Sequence, residues 1–232
     1  MTAVFLDLDG TLMESHPGIL ESLRHALGSS GHHALAETDL AWMIGPPFDE
    51  SFRKMGLSDP EAVMAAYREH YRKGGMFDAR VYGGVPGALN TLREAGARLY
   101  LATAKPHVYA RKVTRHFGLA EYMEREFGPE LDGTRNWKGD LLAHALAETG
   151  EDVAKAVMVG DREHDMAAAK EVGMKSVAVS WGYGNEEEWR DAGAVIDRPE
   201  DLKPAIAGLG LQLDAPASSP FVAAGGDVAR RA

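Results

Sequence analysis

The chain has 232 residues, 45% hydrophobic and 26% charged, which suits one or two globular domains. It has no cysteine, so disulfides, thiolate metal sites and cysteine nucleophiles are excluded. A net charge of -10 disfavours binding to nucleic acid polymers, and no apolar run approaches the roughly 20 residues of a membrane helix.

The chain opens on an apolar run, Val4 to Leu6, that reads as a strand and ends in Asp7-Leu8-Asp9-Gly10-Thr11. Residues 14 to 80 then read as helices. Pro17 suits a first helical turn, and Ile19, Leu20, Leu23 and Leu27 recur at helical spacing until residues 28–31 break the pattern. Short helical pieces follow at 39–44 and 48–55, and a longer one at 60–71. Gly74-Gly75 closes the run.

From residue 81 the pattern alternates. Helices are expected at 86–95, 106–117, 136–148, 165–172, 186–192 and 199–207. Strands are expected at 97–102, 156–159, 175–179 and 194–196. Alternation of this kind argues an α/β fold, a Rossmann-like parallel sheet covered on both faces. The first strand belongs with that sheet. The expected division is a core of residues 1–13 and 82–210, an inserted α-helical cap at 14–81, and a disordered tail over 211–232, rich in Ala, Pro, Ser and Gly.

Side chains alternate along a strand, so Asp7 and Asp9 leave its end on the same side. Two carboxylates that close repel unless one is protonated or a cation lies between them. The layout fits a metal-assisted nucleophile beside an acid/base; an Asp-Gly turn is the plainer reading. A calcium loop is excluded, because its twelfth position, counted from Asp7, is Gly18 rather than Glu. Parallel sheets bind ligands beyond the carboxyl ends of their strands. There stand Thr103-Ala104-Lys105 after one strand and Gly160-Asp161 after another. Asp165 lies four residues past Asp161, and Lys138 lies near a helix start.

In this order the residues resemble the four motifs of the haloacid dehalogenase superfamily, over roughly residues 3–207. The helical insertion resembles that family's cap. Residues 44–47, Thr103-Ala104-Lys105-Pro106, residues 130–135 and 181–184 resemble its phosphoglycolate phosphatase and 5'-nucleotidase-like branch. The resemblance implies a magnesium-dependent phosphatase acting on a small phosphorylated metabolite through an aspartyl-phosphate.

In that scheme Asp7 is the nucleophile and Asp9 the acid/base. Thr103 and Lys138 hold the phosphate, and magnesium lies on Asp7, Asp161 and the Asp9 carbonyl. Asp165 orients Lys138 or metal-bound water. Gly10, Thr11, Thr103, Ala104 and Lys105 are expected around the phosphate. The three carboxylates and a phosphate dianion outweigh one magnesium ion and Lys138 by two charges. Like charges about 4 Å apart cost about 4 kcal/mol at an effective dielectric of 20. Lys105 is the expected extra cation, with a solvated lysine as its plainer reading.

Phe48, in the loop Gly45-Pro46-Pro47-Phe48, suits either a stacking contact with a nucleoside base or packing of the cap helices. The absence of a cation in that loop disfavours a phosphomutase, and the presence of Asp9 disfavours a dehalogenase. A non-catalytic binding protein on the same fold would be expected to lose Asp7 or Asp9. Trp137 is expected to pack and His164 to lie on the surface. A cytoplasmic protein is expected, since no basic segment precedes a cleavable apolar one and cysteine is absent; a monomer or homodimer is expected.

Overall fold

The computed structural model describes residues 1–45 and 48–213, with Asp49 in its backbone only. Its centre is a parallel sheet of six strands. These are β1 (Ala3–Leu6), β4 (Arg98–Ala102), β5 (Arg125–Phe127), β6 (Ala156–Gly160), β7 (Lys175–Val179) and β8 (Ala194–Ile196), in the order β5-β4-β1-β6-β7-β8. The first strand therefore sits in the middle. Phe5 pairs with Tyr100 on one side and Met158 on the other.

Every residue of β1 is buried, because both faces of the sheet are covered. The alternation divides its side chains between two cores. Val4 and Leu6 join Val157, Val159, Leu89 and Leu92 on one face. Ala3 and Phe5 join Met158, Leu141 and Leu142 on the other. The covering helices are α5 (Val85–Glu94), α6 (His107–His116), α7 (Lys138–Thr149), α8 (Glu163–Glu171) and α9 (Leu202–Gly208).

Between β1 and α5 lies the helical block: α1 (His16–Ser29), α2 (His33–Ala36), α3 (Phe48–Lys54) and α4 (Pro60–Lys73). A short antiparallel ribbon, β2 (Met13–Glu14) with β3 (Arg80–Val81), brackets it. Helix α4 starts cleanly: Pro60 takes the first turn, and the Asp59 carboxylate caps Ala62 N at 3.0 Å. Its buried Val63, Tyr67 and Tyr71 repeat at helical spacing, and it packs against α1.

Several features differ from the sequence-based expectation, the short helix α2 among them. Residues 186–192 form turns, not a helix. The Asn185 carboxamide accepts from Glu187 N, Glu188 is drawn to Arg162, and the Trp189 indole is fixed to the Asp161 carbonyl at 2.6 Å. Side-chain bonds to local backbone compete with helix formation. Strand β5 was not anticipated, since Arg125-Glu126-Phe127 is the charged pattern of an edge. The two-residue strands β2 and β3 are too short to leave a period. The start of the expected tail is docked: Leu211 is buried, and Thr2 Oγ1 donates to Gln212 O at 2.6 Å. The rest of that expected tail, and Pro46 and Pro47, lie outside the described residues.

Candidate active site

The site is built where β1, β4 and β6 end. Asp7 follows β1, and its N-H still donates to Val159 O of β6 at 2.9 Å. The chain then turns tightly. Gly10 adopts φ +83°, and its N-H donates to Met13 O at 2.8 Å. Lys138 opens α7 and lies buried among carboxylates. Its ammonium donates to Asp7 Oδ1 at 2.7 Å and lies 2.8 Å from Asp165 Oδ1.

Asp7, Asp161 and Asp165 each present a carboxylate oxygen within 4.8 Å of the others, and all three are buried. Asp161 is held from both sides. Thr11 Oγ1 donates to Oδ1 at 3.1 Å, and Tyr183 N donates to Oδ2 at 2.7 Å. A Cβ on Gly10 would lie 2.2 Å from Asp161 Oδ2, so glycine is what lets the turn close on this carboxylate. Asp165 Oδ2 accepts from Arg162 N at 3.1 Å, which fixes its orientation at the start of α8.

Burial dominates the acidities. It pushes the Asp7 carboxyl up to about 6, although the neighbouring Lys138 pulls the other way. Burial, then Asp165 and Asp7, raise Asp161 well above the usual carboxylate range. Burial disfavours the charged form of Lys138, but Asp165 and Asp7 outweigh it and hold the ammonium more tightly protonated than in water. Three buried carboxylates against one ammonium leave excess negative charge, and the donors are hard oxygens. The set suits a divalent metal ion.

The Asp9 carboxylate stands outside this cluster. Lys105 Nζ lies 2.9 Å from its Oδ2, and Ser15 Oγ donates to its Oδ1 at 2.5 Å. Lys105 also donates to the Tyr71 hydroxyl of α4 at 2.6 Å, with the ammonium 5.0 Å from that ring's centre. Thr103 is buried, and its Oγ1 accepts from Lys105 N at 3.2 Å. The two aspartates of the opening motif thus take separate lysines.

Above them lies a cavity of about 180 Å³. Asp7, Asp9, Thr103, Ala104, Lys105, Lys138 and Phe48 line it. Gly10 and Thr11, expected beside the phosphate, do not. The Gly10 N-H and Thr11 hydroxyl are spent on the turn and on Asp161. Phe48 lines the cavity and also packs within the helical block, meeting Tyr67 edge-on at 4.9 Å.

Trp137 is 61% exposed, so the expectation of packing is corrected. His164 is half-buried and lines the cavity, so its surface assignment is corrected too. Burial lowers its basicity. Sequence reasoning missed Arg68, Tyr71 and Tyr183, which come from elements away from the motifs, and Tyr109 and Arg162, which lie beside them. Only the helical period of Val63, Tyr67 and Tyr71 hinted that this face of α4 is inward.

The fold is a Rossmann-like parallel sheet that carries a buried aspartate at the end of its central strand, beside a nest of carboxylate oxygens. The profile of haloacid dehalogenase-like hydrolases matches residues 4–179, and the chain belongs to that family. It is 43% identical over 186 residues to the tyrosine-protein kinase PtkA of Mycobacterium tuberculosis (strain ATCC 25618 / H37Rv). That alignment covers 79% of this chain but only 64% of the relative, just under two thirds of its length. It is 38% identical over 193 residues to a 5'-nucleotidase of Pseudomonas aeruginosa, covering 81% of this chain and 86% of the relative. A predicted phosphatase from Clostridium acetobutylicum superposes with a TM-score of 0.83 at 31% identity, over 89% of this chain and 98% of that one.

Proposed function

We propose that the protein hydrolyses a small phosphomonoester in two steps through an aspartyl-phosphate at Asp7. The observation that carries this reading is the division of the aspartates. Asp7 lies with Lys138 in the oxygen cluster, and Asp9 lies with Lys105 on the cavity side. In the first step a carboxylate oxygen of Asp7 bonds to phosphorus as the ester P-O bond breaks, and Asp9 gives its proton to the departing oxygen. In the second, Asp9 takes a proton from water as that water attacks phosphorus, freeing phosphate and Asp7. Thr103 and Lys138 hold the phosphoryl oxygens.

Asp7, Asp161 and the backbone carbonyl of Asp9 would hold a divalent cation, magnesium by the hardness of the donors. When bound it supplies positive charge against the phosphate dianion. Asp165 keeps Lys138 in place. The helical block at 14–81 acts as a cap that covers the reacting groups. The substrate is a small phosphorylated metabolite of the phosphoglycolate or nucleoside monophosphate class, turned over by a cytoplasmic monomer or homodimer.

Likeness to a protein named a tyrosine kinase favours one second reading. There the aspartyl-phosphate passes its phosphoryl group to a hydroxyl other than water. Product analysis decides between them. Free phosphate in step with substrate loss is expected, whereas a phosphorylated acceptor with little free phosphate would replace the hydrolase reading.

A further inference from the structure

One face of α4 forms a wall of the cavity. Met64, Tyr67, Arg68 and Tyr71 all line it, and their spacing of three and four residues sets them in one row. Tyr71 marks the inner end, because its hydroxyl meets the same ammonium that holds Asp9. Tyr67 and Arg68 lie about one turn, roughly 5 Å, further along the helix axis. Arg68 marks the mouth. Its Nη2 donates at 3.1 Å to the carbonyl of Leu131, a residue 40% exposed. A leaving group whose phosphate sits at Asp7 therefore runs along this row towards Arg68.

The cations of the cavity are not equivalent. Lys138 holds Asp7 and Asp165, Lys105 holds Asp9, and Arg162 holds Glu188 at 2.8 Å. Arg68 has no carboxylate within ion-pair distance among the residues whose side chains are described. A guanidinium has five N-H donors, and among the described residues this one spends a single donor, on a carbonyl. The surfaces around it decide what the remaining donors suit. Phe48, Tyr67 and Tyr109 line the same cavity with aromatic rings. Asp132 and Glu130, the latter met by Arg135 at 3.0 Å, also line the cavity and set negative charge against a second anion.

We infer that Arg68 is the specificity-determining residue that reads the leaving group, donating to an uncharged carbonyl or hydroxyl oxygen on a ring-bearing alcohol. The inference rests on the phosphatase reading and narrows its substrate class, favouring nucleoside monophosphates over phosphoglycolate.

The test compares phosphate release by wild type, Arg68→Met and Arg68→Lys, with magnesium, from uridine monophosphate, phenyl phosphate and phosphoglycolate. Phenyl phosphate keeps the ring and lacks the acceptor. Arg68→Met is expected to lower the preference for uridine monophosphate over phenyl phosphate about tenfold or more, the scale of a charge-assisted hydrogen bond. The loss should fall mainly on KM, and Arg68→Lys should recover part of it. Equal losses on both substrates, or no loss on either, would overturn the assignment, since a merely structural contact moves both alike. A loss greatest on phosphoglycolate would also overturn it, because it would mean that Arg68 reads an anion. If wild type releases phosphate from none of the three, the phosphatase reading fails by itself. Calorimetric binding of uridine monophosphate then decides Arg68 separately: weaker binding by Arg68→Met keeps the assignment, and equal binding removes it.

Discussion

Asp7 and Asp9 are two residues apart, yet the structure gives them different surroundings. Asp7 is buried with Asp161, Asp165 and Lys138, whereas Asp9 meets Lys105 and Ser15. Replacing Asp7 by Asn is expected to abolish phosphate release while the far-UV circular dichroism stays that of the wild type. Full activity in the purified variant would remove the nucleophile assignment. Lys138→Ala is expected to lower kcat roughly a hundredfold or more, on the scale of losing one preorganised donor to the reacting group. The raised pKa of Asp7 adds a pH effect. Its folded value, about 6, exceeds its unfolded value, 3.8, so the folded state binds the proton more tightly. The stability this contributes is complete below the unfolded value and is lost as the pH rises through the folded one. Denaturant titrations of metal-free protein should show that decline between about pH 4 and pH 7, and Asp7→Asn should make it shallower, with Asp161 keeping its own share. Identical profiles for the two proteins would show that Asp7 does not titrate in this window.

At the scale of elements, the core was legible because its signals are local. Val4 to Leu6, Leu99 to Ala102 and Val157 to Val159 are apolar runs ended by polar residues, and all three became neighbouring strands. Since the sheet is parallel, their polar ends meet at one edge. That is why Asp7, Thr103 and Asp161 could be collected before any contact was known. Residues 186–192 were misread because three consecutive glutamates, Glu186 to Glu188, have good helix propensity. Tertiary bonds to Arg162 and to the Asp161 carbonyl override it. The helical block depends on close backbone approaches that no periodicity reports. A Cβ on Gly18 of α1 would lie 1.8 Å from the Gly75 carbonyl. Gly18→Ala must therefore push two backbone segments apart. It is expected to cost about 1–3 kcal/mol, read as a fall of several degrees in Tm. An unchanged Tm would mean that the block does not rest on that contact.

For the whole molecule, the governing fact is an acidic chain that brings four of its 25 lysines and arginines to one cavity. With a net charge of -10, it lines its cavity with Arg68, Lys105, Lys138 and Arg162. The lysines were legible, since each follows a strand end or opens a helix. The arginines were not. Arg68 comes from α4 and Arg162 bonds the Ile44 carbonyl, so their place depends on how the helical block lies on the sheet. Magnesium is expected to raise Tm in proportion to the logarithm of its concentration above the dissociation constant. It should also support turnover that chelation stops and calcium does not restore, because calcium takes more ligands in looser geometry. Turnover undiminished by chelation would rule out the cation.

The central claim, a covalent phosphoryl group on Asp7, is tested most directly by trapping. Borohydride added during turnover reduces an acyl phosphate to the alcohol, so peptide mapping should find homoserine at position 7 only when substrate and magnesium are both present. Steady phosphate release with Asp7 unmodified, or reduction at another carboxylate, would contradict the account.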